Sequence, residues 1–233
     1  MWCDGRACSP IILGTVLLGL CTTPVAAQTF GAVADTFVDS AVPNTNSNFG
    51  NLSFAEVGFS GPPKDAIDRA LLQFDLSSLP PASGPVRATL RLFISATSVD
   101  ALGLVVEVHP LAPGQTFDEL TVTWNTQPAV AAVVATSVMD TPVGEWFAMD
   151  VSEPVAAQRA GPNPTQVYLR VGSPVASGDE IFLDFLTKES MTPDLRAQLV
   201  LDLGVAAPSA SLPVLIFASL ALLALALRRM QRA

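Results

Sequence analysis

The sequence predicts an all-β protein, an antiparallel β-sandwich of jelly-roll type. Three features of residues 28–205 predict it. Apolar and polar residues alternate with period two; the alternating runs are short and separated by clusters of Pro, Gly, Asn and Ser; and they recur about every 8 to 14 residues with no long helical pattern between them.

The two ends of the 233-residue chain stand apart from that pattern. Residues 1–27 carry Arg6, the apolar run "IILGTVLLGL" and then "CTTPVAA", whose Val25 and Ala27 suit the small-residue pockets of a signal peptidase. The apolar run is too short for a bilayer, which needs about 20 residues. A signal peptide cleaved after Ala27 is expected, with a mature chain from Gln28; a lipoprotein signal ending at Cys21 is the alternative, opposed by the bulk of Leu20. Residues 206–211 form a polar spacer, Leu212 to Leu227 are almost wholly apolar, and Arg228, Arg229 and Arg232 follow in the tail 228–233. That pattern predicts one transmembrane helix with a cytoplasmic basic stop. It resembles the C-terminal sorting signals of bacterial exosortase-type systems, although their Pro-Glu-Pro motif is missing. The helix is either retained as an anchor or removed by sorting machinery, and in both cases the protein is exported to the extracellular region or cell surface.

Cys3, Cys8 and Cys21 all fall in the segment expected to be removed, so the mature chain has no disulfide, thiolate metal site or cysteine nucleophile. The 178 residues from 28 to 205 are enough to bury a core without them. Four of the 12 basic residues (Arg6 and the three terminal arginines) and one of the 21 acids (Asp4) lie outside this domain. It therefore carries 8 basic and 20 acidic side chains, a formal charge of −12. Such a surface repels nucleic acid and anionic membranes.

Along the domain, the clearest strand is "VRATLRLFISA" (86–96), with Val86, Ala88, Leu90, Leu92 and Ile94 on one face and Arg87, Thr89, Arg91, Phe93 and Ser95 on the other. "RALLQFDL" (69–76), "GLVVEVHPL" (103–111), "TQVYLRV" (165–171) and "RAQLVLDL" (196–203) alternate in the same way. "ELTVTWN" reads as a further strand whose apolar face holds Leu120, Val122 and Trp124, which predicts a core position for Trp124, with "NTQP" as the turn after it. "SEPVAAQR" (152–159) is the one expected helix, capped by Ser152 with Pro154 in its first turn.

These segments, in this order, carry a resemblance. "ADTFVDSAVPNTNSNFGN" (34–51), "RALLQFDLSSLPP", "VRATLRLFI", "FDELTVTWNTQPA", "MDVSEPV", "FLTKES" and "PDLRAQLVL" are similar to a DNRLRE-type domain, the group also described as carbohydrate-binding module family 96. Phe117 stands where that family usually has Trp. The resemblance implies a β-sandwich on bacterial surface or secreted proteins, with glycan binding, including alginate, in some members.

Catalytic chemistry has little to draw on. The single His109 precedes Pro110 in a strand-like run, and Tyr168 is the single tyrosine. No Gly-rich phosphate loop, His-Glu zinc motif or Gly-x-Ser-x-Gly elbow is present, and Asp118 and Glu119 point to opposite sides of any strand. The expectation is a noncatalytic module that binds a polysaccharide or cell-envelope glycan. A structural or adhesive envelope domain without a glycan ligand is the alternative, and a polysaccharide-active enzyme is a third reading. No cofactor is required, and calcium is the one that the hard ligands Asp35, Asp39 and the Asn-rich loop would suit. The candidate binding residues are Arg87, Arg91 and Phe93 on one strand and Tyr168 with Arg170 on another. Arginine forks hold uronate carboxylates and aromatic rings cover sugar faces. Cross-strand pairing of these arginines with Asp75, Glu107 or Asp202 would place them equally well.

Overall fold

A computed structural model describes residues 27–79, 86–98 and 101–203. The expected signal segment up to Ala26, the spacer, the transmembrane or sorting helix at 212–227 and the basic tail lie outside them. Among the described residues no helix is long and apolar enough to cross a membrane.

Within the described residues, ten strands and one helix follow one another as β1 (Ala27–Asp39), β2 (Phe54–Ser60), β3 (Ala66–Asp75), β4 (Val86–Thr97), β5 (Val105–Pro110), β6 (Ala135–Val138), β7 (Trp146–Asp150), α1 (Ser152–Arg159), β8 (Gln166–Gly172), β9 (Ile181–Leu186) and β10 (Gln198–Leu203). Every strand pairing is antiparallel. A first layer is built from β10, β7 and the leading parts of β1 and β4; a second runs β2-β3-β8-β5-β6 and is joined by β9 and the trailing parts of β1 and β4. The two long strands pass from one layer to the other, and each does so at an irregularity in register, between Ala32 and Ala34 in β1 and between Ile94 and Ala96 in β4. One extra residue bends a strand and increases its twist, which is how a sandwich turns its corners.

The alternation read from the sequence becomes the core. Ala88, Leu90, Leu92 and Ile94 of β4 are fully buried and meet Leu72 and Phe74 of β3, Leu169 and Val171 of β8, and Leu199 and Leu201 of β10. Each such leucine or phenylalanine contributes about 1.5–3 kcal/mol by leaving water. The expected strands at 69–76, 86–96, 103–111, 165–171 and 196–203 all appear, shifted by three residues or fewer.

One expected strand does not form. "ELTVTWN" folds as a turn followed by a 3-10 turn at Trp124–Thr126, inside a long loop closed at its base by the Leu111–Val130 bridge. Leu120 is 58% exposed and Val122 is buried, so the two do not share a face of one strand. Trp124 is half-buried and is not a core residue. The loop folds over the outside of the second layer, where Phe117, Val122, Trp124 and Val130 cover Val38, Leu71 and Tyr168 in a small second apolar cluster. The helix forms where expected, but Ser152 does not cap it. Its hydroxyl accepts from the Ala88 amide at 3.0 Å and donates to Asp150 at 2.6 Å, tying α1 to β4 and β7.

Candidate functional site

Two outward-facing surfaces carry arginine and aromatic side chains. On the first layer, Arg87, Arg91 and Phe93 project from β4, as expected of its polar face. Trp146 lies opposite Phe93 on β7, with ring centroids 5.5 Å apart, and the Arg91 guanidinium stacks 4.4 Å from the Trp146 ring while donating to Gln198 at 3.3 Å. Arg87 stands opposite Asp202 and forms a 3.7 Å ion pair with Asp150. Both of its near neighbours are acids, so cross-strand pairing accounts for Arg87.

On the second layer, β3, β8 and β5 lie side by side. Arg170 of β8 is opposite Leu71 on one side and His109 on the other. Arg69 of β3 lies across Gly172, where a Cβ would stand 3.5 Å from its Cγ, and its guanidinium rests 4.6 Å from the Trp124 ring and donates to Gln127 at 3.3 Å. Two arginines are thus neighbours, and among the described residues neither has a carboxylate within ion-pair distance. The Arg170 Nε is buried with no acceptor. Burial, and then the positive charge of Arg69, lower the Arg170 pKa to about 10. Glu107 on β5 partly offsets the Arg170 charge from beyond ion-pair distance, and the two guanidinium groups leave forks suited to an anion. His109 is held by Glu107 at 3.3 Å, and its Nδ1 is buried and unpartnered.

The five predicted site residues therefore do not form one site: Arg87, Arg91 and Phe93 occupy the outer face of one layer, Tyr168 and Arg170 that of the other. Tyr168 is 9% exposed, packed edge-on to Phe117 at 6.1 Å, with its hydroxyl accepting from Gln73 at 3.3 Å. It supports the loop from beneath, and the more accessible aromatic of this face is the partly buried Trp124. Sequence reading did not select Arg69, Gln127 or Trp146. Arg69 and Trp146 each alternate with core residues in their strands, a visible signal, but Gln127 reaches the site only through the 3-10 turn.

Two groups of buried and partly buried acids lie apart from these faces. Asp39, Glu56 and Asp68 surround Lys64, whose ammonium is 3.3, 3.8 and 3.7 Å from them. Burial pushes Asp68 up to about 8 and the nearby Asp184 up to about 7. Asp35, Glu119 and Glu189 form the second group, each offering an oxygen within 4.8 Å of the others. Of the hard ligands named from the sequence, Asp35 belongs to this second group and Asp39 to the first. Two inward residues four positions apart on one strand are about 13 Å apart, and Asp39 accepts from the Ala41 amide and Asn44.

The arrangement offers aromatic platforms and cation forks on sheet faces, the equipment for holding a sugar chain. No curated protein matches the sequence. Residues 26–202 match the family model of carbohydrate-binding module family 96, nearly the whole of the described fold, and the chain belongs to that family of noncatalytic binding modules.

Proposed function

We propose that this carbohydrate-binding module takes an acidic polysaccharide, of the polyuronate type that includes alginate, on the second-layer face formed by Arg69, Arg170, Trp124 and Gln127. The observation that carries the reading is the pair of adjacent arginines with no carboxylate within ion-pair distance, one stacked on a partly exposed indole. A uronate carboxylate would take the guanidinium forks and its ring face would lie against Trp124. Long-range repulsion from the net −12 opposes this ligand, so affinity rests on short-range bidentate contacts and is modest.

The test is titration of the purified protein with alginate oligomers and with a neutral glucan, repeated with the double change Arg69→Met plus Arg170→Met. Each charged hydrogen-bonding contact is worth about 1.5–3 kcal/mol, so a folded double variant should lose alginate affinity by at least tenfold. Unchanged affinity in that variant rejects the face. The first-layer cluster of Arg91, Phe93 and Trp146 is the second reading, favoured by its stacked Arg–Trp pair, and loss of affinity on Arg87→Ala plus Arg91→Ala would select it. Binding of neither polymer by the parent would favour a structural or adhesive role. We further infer that the module is displayed outside the cell, from the export and membrane-type segments at its ends. Intact-mass analysis of the mature protein tests this, and a species retaining Cys3 refutes it.

A further inference from the structure

We propose that Asp35, Glu119 and Glu189 form a divalent-cation site of the hard, all-oxygen kind that calcium fills. The three carboxylates come from β1, from the loop between β5 and β6, and from the segment after β9, yet each brings an oxygen within 4.8 Å of the other two. Asp35 is wholly buried, and its Oδ1 has no hydrogen-bond donor; the Glu189 Oε2 is buried without one as well. Oxygens of an ionised carboxylate cannot donate to each other, so something positive must lie between them. The other groups are committed. Asp35 Oδ2 accepts from the Lys188 amide at 2.8 Å, and Glu119 Oε1 accepts from the Asp35 amide at 2.7 Å. The Lys188 ammonium pairs with Glu119 at 2.9 Å and with Glu189. Three carboxylates against one ammonium leave a formal charge of −2, which a divalent ion balances.

The ligands are also held in place by contacts that do not depend on an ion. Asn48 Nδ2 donates to the carbonyls of Glu119 and Val122, both at 2.8 Å, and Gly50 sits so close to the Glu119 backbone that a Cβ there would stand 2.2 Å from its carbonyl oxygen. The Thr187 amide and hydroxyl bond to Ser53 and Leu52, which fixes the chain just before Lys188 and Glu189. The acids around Lys64 differ, because there the ammonium itself occupies the middle of the group. Burial, with Glu189 and Glu119 adding to it, pushes the Asp35 carboxyl up to about 8. A proton shared between Asp35 and Glu189 is therefore the competing way to neutralise the site. An ion here would staple β1 to the loop that carries Trp124 and Gln127; that consequence depends on the proposed glycan face, whereas the site does not.

The experiment is thermal melting and calorimetric titration of the EDTA-treated protein with calcium chloride alone at pH 7, with magnesium chloride for comparison. Calcium should raise the melting temperature saturably and give one binding isotherm. Glu119→Gln and Glu189→Gln should each weaken calcium binding at least tenfold, while Asp184→Asn, at the other acid group, should keep it. Asp35→Asn should abolish the response, and the two glutamine variants carry the test if it does not fold. Absence of heat and of a melting shift up to about 10 mM calcium, tenfold above the weakest extracellular calcium modules, would overturn the site. So would a response that survives both glutamine variants. A calcium-insensitive parent combined with an Asp35→Asn variant that melts higher would assign the shared proton instead.

Discussion

Replacing Trp124 with alanine measures how the loop over the second layer is held. Truncating a fully buried aromatic residue costs about 3–5 kcal/mol. Trp124 keeps part of its surface in water, so only a part of that, about 2 kcal/mol, comes from its packing on the cluster of Val38, Leu71, Leu111, Val122 and Tyr168. The Arg69 guanidinium 4.6 Å from the ring adds about 0.5–1 kcal/mol, because it is only partly desolvated. The expected loss is therefore about 2–3 kcal/mol, or roughly 5–10 °C in melting temperature for a domain of this size. Circular dichroism during heating and urea titration is the assay, with Trp146 fluorescence as an independent probe. A double-mutant cycle with Arg69→Met should return a coupling of about 0.5–1 kcal/mol. A loss above about 4 kcal/mol would mean that Trp124 is a core residue after all. A loss below about 0.5 kcal/mol with no coupling to Arg69 would mean that neither the packing nor the stacking contributes.

Gly50→Ala should destabilise the domain by about 1–3 kcal/mol, because its Cβ would collide with the Glu119 backbone, whereas Gly31→Ala, with nothing within 4 Å, should be close to neutral; chemical denaturation of the pair checks this. Asn48→Ala should cost a similar amount, about 1–3 kcal/mol, by leaving the Glu119 and Val122 carbonyls without their shared donor. Asp184 has a folded pKa near 7 against an ordinary 3.8, so between those values the native state keeps a proton that the unfolded chain has released. Its contribution to stability is present at low pH and falls as pH rises through about 7, and Asp68, near 8, extends the fall. Asp184→Asn should accordingly raise the melting temperature most at pH 8, progressively less toward about pH 4, and flatten the profile between them. An unchanged profile would show that Asp184 titrates normally.

The strands legible in the sequence are those in which period-two alternation matches burial. In β4 the residues Ala88, Leu90, Leu92 and Ile94 turned inward and Arg87, Thr89, Arg91 and Phe93 outward, with no dependence on which strands lie beside them. The same alternation misread "ELTVTWN", because local hydrogen bonds compete with a ladder. The Asp118 carboxylate accepts from the Leu120 amide, its carbonyl from Thr121 and Val122, and Thr123 with Thr126 forms a capping box around the 3-10 turn. Asp118, Thr123 and Thr126 are the signals against a strand, opposed by three apolar residues at spacing two. The loop "NTNSNFGN" was visible as a family feature, but its purpose was not: Asn48 and Gly50 moor a segment some 70 residues away.

The sequence by itself determined the fold class, the core faces of the regular strands, the acidic balance and the family, because these depend on residue type and short-range period. Only the tertiary structure decided that Arg69 and Arg170 are neighbours, that Arg87 and Arg91 face away from them, and that Asp35 meets Glu119 and Glu189 and not Asp39. A strand's side-chain direction is set locally by its pleat, whereas its neighbours are set by pairing across long loops, and no period in the sequence encodes that order.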